Sequence, residues 1–245
     1  MADPRGALVG TGKMYLADIE TPEKLIFIGN CSALNYEAET EELTLTDYTT
    51  PGGGLDSSIT RITAMNVSYT AHHFNKANIA RALRATVTDK AAGSVTEEEH
   101  TAYVGALVKT VYPKPSSVVV KNQAGDTTYV VDQDYVLSDA GIEVLEGGDI
   151  ADASAITISY EYPAHADIQA MTQSNKKFRQ VFVGLNEART GKPMIVDVHR
   201  ISHSPASLGL IGDDFGAMEF TGKAEKDATK VGTGVSQYMY LQDVD

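Results

Sequence analysis

"LTDYTTPGGGLDSSITRITAMNVSYTAHHF", residues 45–74, decides the predicted fold because it joins two strand-like stretches through a long connection. Apolar and polar residues alternate strictly over 65–71, which is the pattern of a β-strand with one buried face. The connection over 49–58 has ten residues, with Pro51 and three consecutive glycines near its middle. We therefore predict two long antiparallel strands joined by a long, pliable loop.

The strand before this loop, predicted over 33–48, changes its sidedness along its length. Leu34, Tyr36 and Ala38 fall on even-numbered positions, whereas Leu43 and Leu45 fall on odd-numbered positions. Because side chains alternate strictly along a strand, such a change of parity predicts a β-bulge or kink near Thr40–Glu42.

Three glutamates, Glu37, Glu39 and Glu41, lie on one face of the same predicted strand, opposite Tyr36. The strand is therefore acidic on one side and apolar on the other. Two interpretations stay open at this point, a functional acidic lining and a merely solvated outer face.

The hydrophobic period changes after the second strand, and a helix of about three turns is predicted over 75–85. Asn75 is a favourable N-cap residue, and Phe74 and Ile79 are spaced as a hydrophobic staple. This is the one helix that the sequence predicts.

The chain divides by the rhythm of its strands. Residues 86–100 are small, polar and acidic, as in a linker, and 101–164 contain short strand patterns separated by turn residues. A second polar link follows, and the longer strand pattern resumes at Phe178. We predict an all-β protein with one short helix, in which residues 1–100 and 165–245 form a discontinuous β-sandwich and 101–164 form a small inserted all-β module.

Composition limits the function classes. The 245 residues include 42% hydrophobic and 22% charged residues, as in an ordinary globular protein. The net charge of −13 argues against a protein that grips nucleic acid, since phosphate binding depends on Lys and Arg. Because no apolar run reaches about eighteen residues, we expect no membrane partner. Cys31 is the single cysteine, which we expect to be a small core residue.

Motifs for catalysis and cofactors fail on inspection. GALVGTGKM, residues 6–14, resembles a phosphate-binding loop, but Ala7 and Met14 replace required residues, so we predict a flexible N-terminal arm. His199 and His203 have the spacing of helical metal ligands but lie in a strand pattern. We therefore predict no enzyme, no catalytic residues, no metal site and no cofactor.

Two long segments carry a family resemblance. GNCSALNYEAETEELTLTDYTTPGGGLDSSITRITAMNVSYTAHHFNKANIARAL and GKPMIVDVHRISHSPASLGLIGDDFGAMEFTGKAEKD resemble the tail tube proteins (major tail proteins) of long-tailed, siphovirus-like bacteriophages. The shared feature is an order: a Gly-Asn strand entry, a long strand, a flexible loop, a long alternating strand, a short helix, and a Pro-Ala-Ser-Leu turn before the final strands. The similarity covers roughly 14–86 and 178–242.

The resemblance implies a structural subunit of the virion tail, assembled in the cytoplasm of a bacterial host. Its subunits would form rings, hexameric in the family, which stack into a tube whose lumen conducts the viral genome during ejection. The implied partners are further copies of the chain, a tape measure protein, tail terminator or distal tail proteins, and double-stranded DNA in transient, non-specific passage.

The resemblance also suggests roles for particular residues. In this family the loop between the two long strands reaches the neighbouring ring, so we predict an inter-ring loop formed by Thr49, Thr50, Pro51, Gly52, Gly53, Gly54, Leu55 and Asp56. We further hypothesise that Glu37, Glu39 and Glu41 line or border the lumen.

An alternative function is a carbohydrate- or surface-binding β-sandwich module of a virion or cell-surface assembly. It rests on four tyrosines of the insert, Tyr129, Tyr135, Tyr160 and Tyr162. These alternate as core residues do, which favours a packing role.

Overall fold

The computed structural model describes residues 7–189 and 191–244. The chain forms two compact units, the first containing the residues up to Thr86 and from Ile168 onward, and the second Val87–Asp167. β-strands dominate the described residues, which contain one α-helix, α1 (Lys76–Leu83). The prediction of an all-β fold with one short helix is confirmed.

Strands are numbered along the chain. Eight strands of the first unit pair in one sheet: β1 (Gly10–Asp18), β2 (Ile26–Phe27), β3 (Cys31–Thr46), β4 (Leu55–Ala71), β14 (Lys177–Asn186), β15 (Lys192–His203), β16 (Met218–Ala224) and β17 (Met239–Asp243). Their order is β2-β1-β14-β15-β16-β4-β3, and all described pairings within it are antiparallel. β14 pairs with one edge of β15. The other edge of β15 pairs with β17 through Met194–Val198 and then with β16 through Ile201–His203.

This sheet folds over on itself to make the core of the first unit. Three strands separate β1 from β4, so a flat sheet would hold them roughly 19 Å apart. Nevertheless Met14 of β1, Tyr69 of β4 and Phe220 of β16 belong to one buried cluster, together with Ala82 of α1. Two layers of the same sheet therefore face each other, and α1 covers part of the core.

The helix begins and ends where local chemistry dictates. Asn75 accepts a hydrogen bond at 2.9 Å from the backbone N–H of Asn78, as the sequence predicts. Asn78 is buried, and its amide donates to the carbonyl oxygens of Ile28 and His73, both at 2.8 Å. Arg84 ends the helix in the left-handed conformation, with φ 48°.

The second unit contains two sheets around its own core. Its strands are β6 (Gly93–Ala102), β7 (Leu107–Lys109), β8 (Ser116–Asn122), β9 (Thr128–Tyr129), β10 (Tyr135–Ser138), β11 (Gly141–Val144) and β12 (Ser154–Tyr162). One sheet has the order β6-β12-β8-β9 and the other β10-β11-β7. Ile142, Ile156 and Ile158 are among the fully buried side chains of this core.

The predicted linkers are wrong. Residues 86–100 form β5 (Thr86–Lys90) and most of β6, and the second polar link contains β13 (His165–Gln169), which pairs with β5. β6 is an edge strand, and most of its residues are exposed. Its pairing comes from β12, so the strand needs few apolar residues, and charged side chains are typical of such edges. The second unit therefore begins at Val87 rather than at 101.

The predicted flexible N-terminal arm is also wrong from Gly10 onward, where β1 pairs with β14 over Gly10–Asp18. Position 12 of this strand requires a glycine, because a Cβ atom there would lie 2.4 Å from the carbonyl oxygen of Val183. The glycines that suggest a loop in the sequence thus allow close packing of a strand. Residues 1–6 lie outside the described part of the chain.

Candidate assembly surfaces

The most exposed element of the first unit is the distal part of the β3–β4 hairpin. We call residues 39–63 the hairpin arm. Apart from Asp47, which is partly buried, every residue of the arm is exposed. Its strands extend about eight residues beyond the core, which corresponds to roughly 25 Å at the rise of a β-strand. A two-stranded hairpin alone is only marginally stable in water, so an arm of this length is expected to be covered by another surface.

A bulge reverses the apolar side of the hairpin where the arm begins. Glu39 pairs with Ala64 and Thr40 pairs with Ile62, so Thr63 of β4 is the extra residue. The predicted bulge near Thr40–Glu42 is therefore confirmed, although the inserted residue lies on the opposite strand.

The consequence is that the two ends of the hairpin present apolar residues to opposite sides. Near the core, Tyr36 pairs with Val67 and packs inward. In the arm, Leu43 pairs with Ile59, and Leu45 lies on the same face. This is the face of β3 that carries Glu37, Glu39 and Glu41, so the apolar face of the arm points away from the side that covers the chain's own core.

The apolar side chains of the arm are unusually accessible. The exposed fraction is 41% for Leu43, 54% for Leu45 and 57% for Ile59. Leu55 and Ile62 exceed 60% and lie on the other face, which is otherwise formed by Thr, Ser and Glu side chains. Leu43, Leu45 and Ile59 thus form an exposed apolar group on one face of the arm, and such a group indicates an interaction surface.

The tip of the arm is shorter and more ordered than the sequence predicts. Leu55 and Asp56 of the predicted inter-ring loop lie in β4, and the connection narrows to Asp47–Gly54. The backbone N–H of Asp47 donates to the carbonyl of Gly54 at 2.8 Å and closes the loop. Gly52 and Gly53 have φ of 100° and 63°, which only glycine adopts readily.

Asp47 organises this tip. Its carboxylate accepts hydrogen bonds from the backbone N–H of Thr49 at 2.7 Å and from the hydroxyls of Thr49 and Thr50 at 2.6 Å. These bonds lower the pKa of Asp47 to about 2. Tyr48, beside it, is 85% exposed, so the ordered tip presents an aromatic ring to its surroundings.

Glu37, Glu39 and Glu41 are all exposed, as the alternation predicts. Glu39 accepts a hydrogen bond from Asn66 Nδ2 at 2.8 Å, and Lys223 Nζ lies 3.4 Å from its carboxylate. The hydrogen bond from Asn66 and the charge of Lys223 lower the pKa of Glu39. Glu41 lies opposite Arg61 in the ladder.

A second exposed apolar surface lies between β15 and β16. This segment is anchored at Ala206, whose N–H donates to the carbonyl of Ala82 at 2.9 Å, and at Gly216, which lies against Phe74. Between these anchors Leu210, Ile211 and Phe215 are 77% exposed or more. The sequence indicates only a Pro-Ala-Ser-Leu turn at the start of this segment, and the apolar residues that follow the turn match neither a helical nor a strand period.

The tyrosines behind the carbohydrate-binding alternative mostly serve the core of the second unit. Tyr135 and Tyr160 are buried, and Tyr129 and Tyr162 pack against the same core. Tyr162 stacks on Tyr112 with ring centroids 4.0 Å apart. The four rings therefore form no common exposed platform for a sugar.

His199 and His203 lie in β15, and both are buried. Among residues 7–189 and 191–244, no three His, Cys, Asp or Glu side chains are grouped so that they could hold a metal ion. Within the same ranges no helix is long and apolar enough to cross a membrane. Cys31 packs against the core of the first unit, and burial raises its pKa to about 11.

Comparison with known proteins gives a family but no activity. No curated protein matches the chain. A family model matches residues 7–242, which include both exposed surfaces and the whole second unit. The chain belongs to the family described as Protein of unknown function UCP028589.

Proposed function

We propose that the chain is the subunit of a phage tail tube, which assembles by itself into stacked rings around a channel for the viral genome. The observation that carries the proposal is the hairpin arm, whose apolar face is turned away from the chain's own core. A second copy of the chain is the occupant that fits it, because a β-hairpin with exposed edges can extend the sheet of an identical neighbour.

Two further features support self-assembly. The exposed side chains of Leu210, Ile211 and Phe215 give the same unit a second apolar surface. A ring needs two different surfaces on each subunit, since head-to-tail contacts close only when one patch meets another. The hairpin arm and the 210–215 surface fit these two roles.

The negative net charge of the chain supports the proposed role as a channel for DNA. A net charge of −13 on each subunit makes the assembled wall repel a polyanion within a Debye length of about 8 Å. Exposed glutamates at the base of the arm would then keep DNA from adhering to a lumen that they border. The resemblance to tail tube proteins leads to the same function from the order of sequence features.

Negative-stain electron microscopy of the purified chain over a range of concentrations tests the proposal. We expect rings, and tubes of stacked rings with a stain-filled channel, to increase with protein concentration. Sedimentation velocity on the same samples should show a matching loss of monomer. Dispersed monomers at every concentration and salt condition, or compact oligomers without a channel, would contradict the proposal.

A further inference from the structure

A cavity of about 190 Å³ lies within the first unit, between α1 and the segment before β14. Its lining contains three cationic side chains, Arg81, Arg84 and Lys176, and one carboxylate, Asp18. We call this the α1 cavity. In a chain with a net charge of −13, such a concentration of positive charge is unexpected for a solvated surface. The volume is several times the roughly 30 Å³ that one water molecule occupies.

Polar atoms around the cavity are buried without partners. Arg81 Nε and both ring nitrogens of His203 have no hydrogen-bond partner among the described residues. His203 is only 4% exposed and lines the cavity. Buried polar groups in proteins are almost always hydrogen-bonded, so a cluster of unpaired groups calls for a missing partner.

The positions of these groups are fixed by their surroundings. The guanidinium of Arg81 lies over the ring of Phe178, at 5.5 Å from its centroid, and its Nη1 donates to Asn78 Oδ1 at 2.9 Å. Arg84 Nη2 donates to the carbonyl oxygen of His203 at 3.0 Å. The cationic groups are thus held in place before any ligand arrives, which lowers the entropic cost of binding.

The carbonyl groups at the end of α1 do not compete for this positive charge. The carbonyl oxygen of Leu83 accepts from the N–H of Met171, and that of Arg84 accepts from the N–H of Gln173, both at 2.9 Å. The N–H of Ala85 donates to the carbonyl oxygen of Ala80 at 2.8 Å. The guanidinium groups therefore keep donor capacity for a ligand.

His203 enters the site as a neutral ring. It lies among Tyr69, Phe178 and Phe220, with ring centroids 5.5 to 5.9 Å away. Burial in this aromatic surrounding, with Arg81 nearby, lowers its pKa to about 3. A neutral imidazole carries one N–H, which can donate to an anionic oxygen.

We propose that the α1 cavity binds a small oxyanion, of the size and chemistry of inorganic phosphate. Guanidinium groups bind phosphate oxygens through two parallel hydrogen bonds, and an ammonium group adds charge. Arg81 and Arg84 supply the guanidinium groups, and His203 a neutral donor at the inner wall. Lys176 adds a charge at the more exposed side, where its Nζ lies 3.7 Å from the carboxylate of Asp18 and would be shared between that carboxylate and the anion. This site is independent of the proposed tube.

Isothermal titration of the full-length chain with sodium phosphate, at constant ionic strength set by sodium chloride, tests the site. We expect saturable binding, together with a rise of about 2–4 °C in the thermal unfolding midpoint near saturation. Phosphate also stabilises proteins by exclusion from their surface, so the decisive quantity is the difference between variants.

Three variants supply that difference. Lys176→Gln is expected to weaken phosphate binding roughly two- to fivefold, because this side chain is exposed. His203→Phe fits the aromatic surrounding, and it should weaken binding roughly two- to tenfold without lowering stability in phosphate-free buffer. Lys24→Gln removes the same charge from an exposed position outside the cavity and should bind as the unaltered chain does.

Absence of saturable binding by the unaltered chain would overturn the proposal. So would equal affinity in all three variants, since the measured heat would then come from an unspecific effect of the salt.

Discussion

At the scale of single residues, the buried imidazole of His203 couples stability to pH. Its pKa is about 3 in the folded chain and about 6.5 when unfolded, so only the unfolded chain binds the proton between these values. Stability is therefore full above pH 6.5 and falls as the pH decreases toward 3. Between pH 6.5 and 5 the loss from this residue is about 1.6 kcal/mol, because half of the unfolded rings are already protonated at pH 6.5.

His203→Phe should remove this dependence. We expect the free energy of unfolding, measured with urea in phosphate-free buffer at pH 6.5 and pH 5, to change less in the variant than in the unaltered chain. The charged neighbour of the ring is Arg81 on α1, and the aromatic neighbours come from β4, β14 and β16. If the free energy of unfolding changed equally between the two pH values in both proteins, the ring of His203 would not be buried as a neutral group.

Asp47 acts in the same direction, because its pKa is also lowered, but at a lower pH and only locally. Its lowered pKa, about 2, means that the hydrogen bonds of the tip are complete above its ordinary pKa and are lost as the pH falls through 2. At neutral pH, Asp47→Ala should have the same effect by removing the acceptor. We expect faster hydrogen exchange at the amide of Thr49, with unchanged global stability.

Asp56→Ala is the matched control for this change, because Asp56 is exposed and lies on the other side of the tip. The two variants should differ at Thr49. Equal exchange rates at this amide would contradict the role of Asp47.

At the scale of elements, the hairpin arm carries the prediction for assembly. Leu43→Ser with Ile59→Ser removes a directly opposed apolar pair from one face. Because fully burying a large apolar side chain contributes about 1.5–3 kcal/mol, association should weaken at least about 100-fold, as measured by sedimentation velocity. The fold should persist, since neither side chain belongs to the buried core.

The control for the arm is the opposed pair on its other face. Thr44→Ala with Ser58→Ala changes side chains at the same depth along the arm but removes little apolar surface. Assembly should be nearly unchanged in this variant. Similar losses in both variants would mean that the apolar face has no special role.

The pattern of apolar residues along the chain indicates some elements correctly and leaves others undetected. The parity change at Leu43 correctly predicts the bulge, and Asn75 correctly predicts the start of α1. The sequence pattern does not reveal β6, because an edge strand that pairs with an apolar neighbour needs no apolar pattern of its own. It does not reveal the strand from Gly10 either, because Gly12 allows a close approach to β14 rather than a turn.

The hairpin arm and the α1 cavity also differ in how far the local sequence indicates them. The exposed arm follows from alternation along one hairpin, so local sequence predicts its faces. By contrast, the α1 cavity joins Arg81, Gln173 and His203, which are far apart in the chain. Only the folded core brings these residues together, and no local motif indicates the site.

At the scale of the whole molecule, negative charge should govern contact with DNA. Glu37→Lys, Glu39→Lys and Glu41→Lys together change the net charge from −13 to −7, two units per substitution. We expect tubes of this variant still to form in electron micrographs but to retain DNA in cosedimentation at low salt, whereas unaltered tubes release it. Passage of DNA should slow accordingly.

A control with the same net charge separates position from total charge. Glu99→Lys, Glu143→Lys and Glu146→Lys alter exposed residues of the second unit. Equal DNA retention by both triple variants would refute a special place of the acidic strand beside the channel.

Self-assembly through the hairpin arm can be tested by a cryo-electron microscopy reconstruction of the assembled particle. We expect a tube with an open channel, in which Leu43, Leu45 and Ile59 of each hairpin arm are buried against a neighbouring copy. A particle whose arms stay exposed to solvent, or one that has no channel, would contradict it.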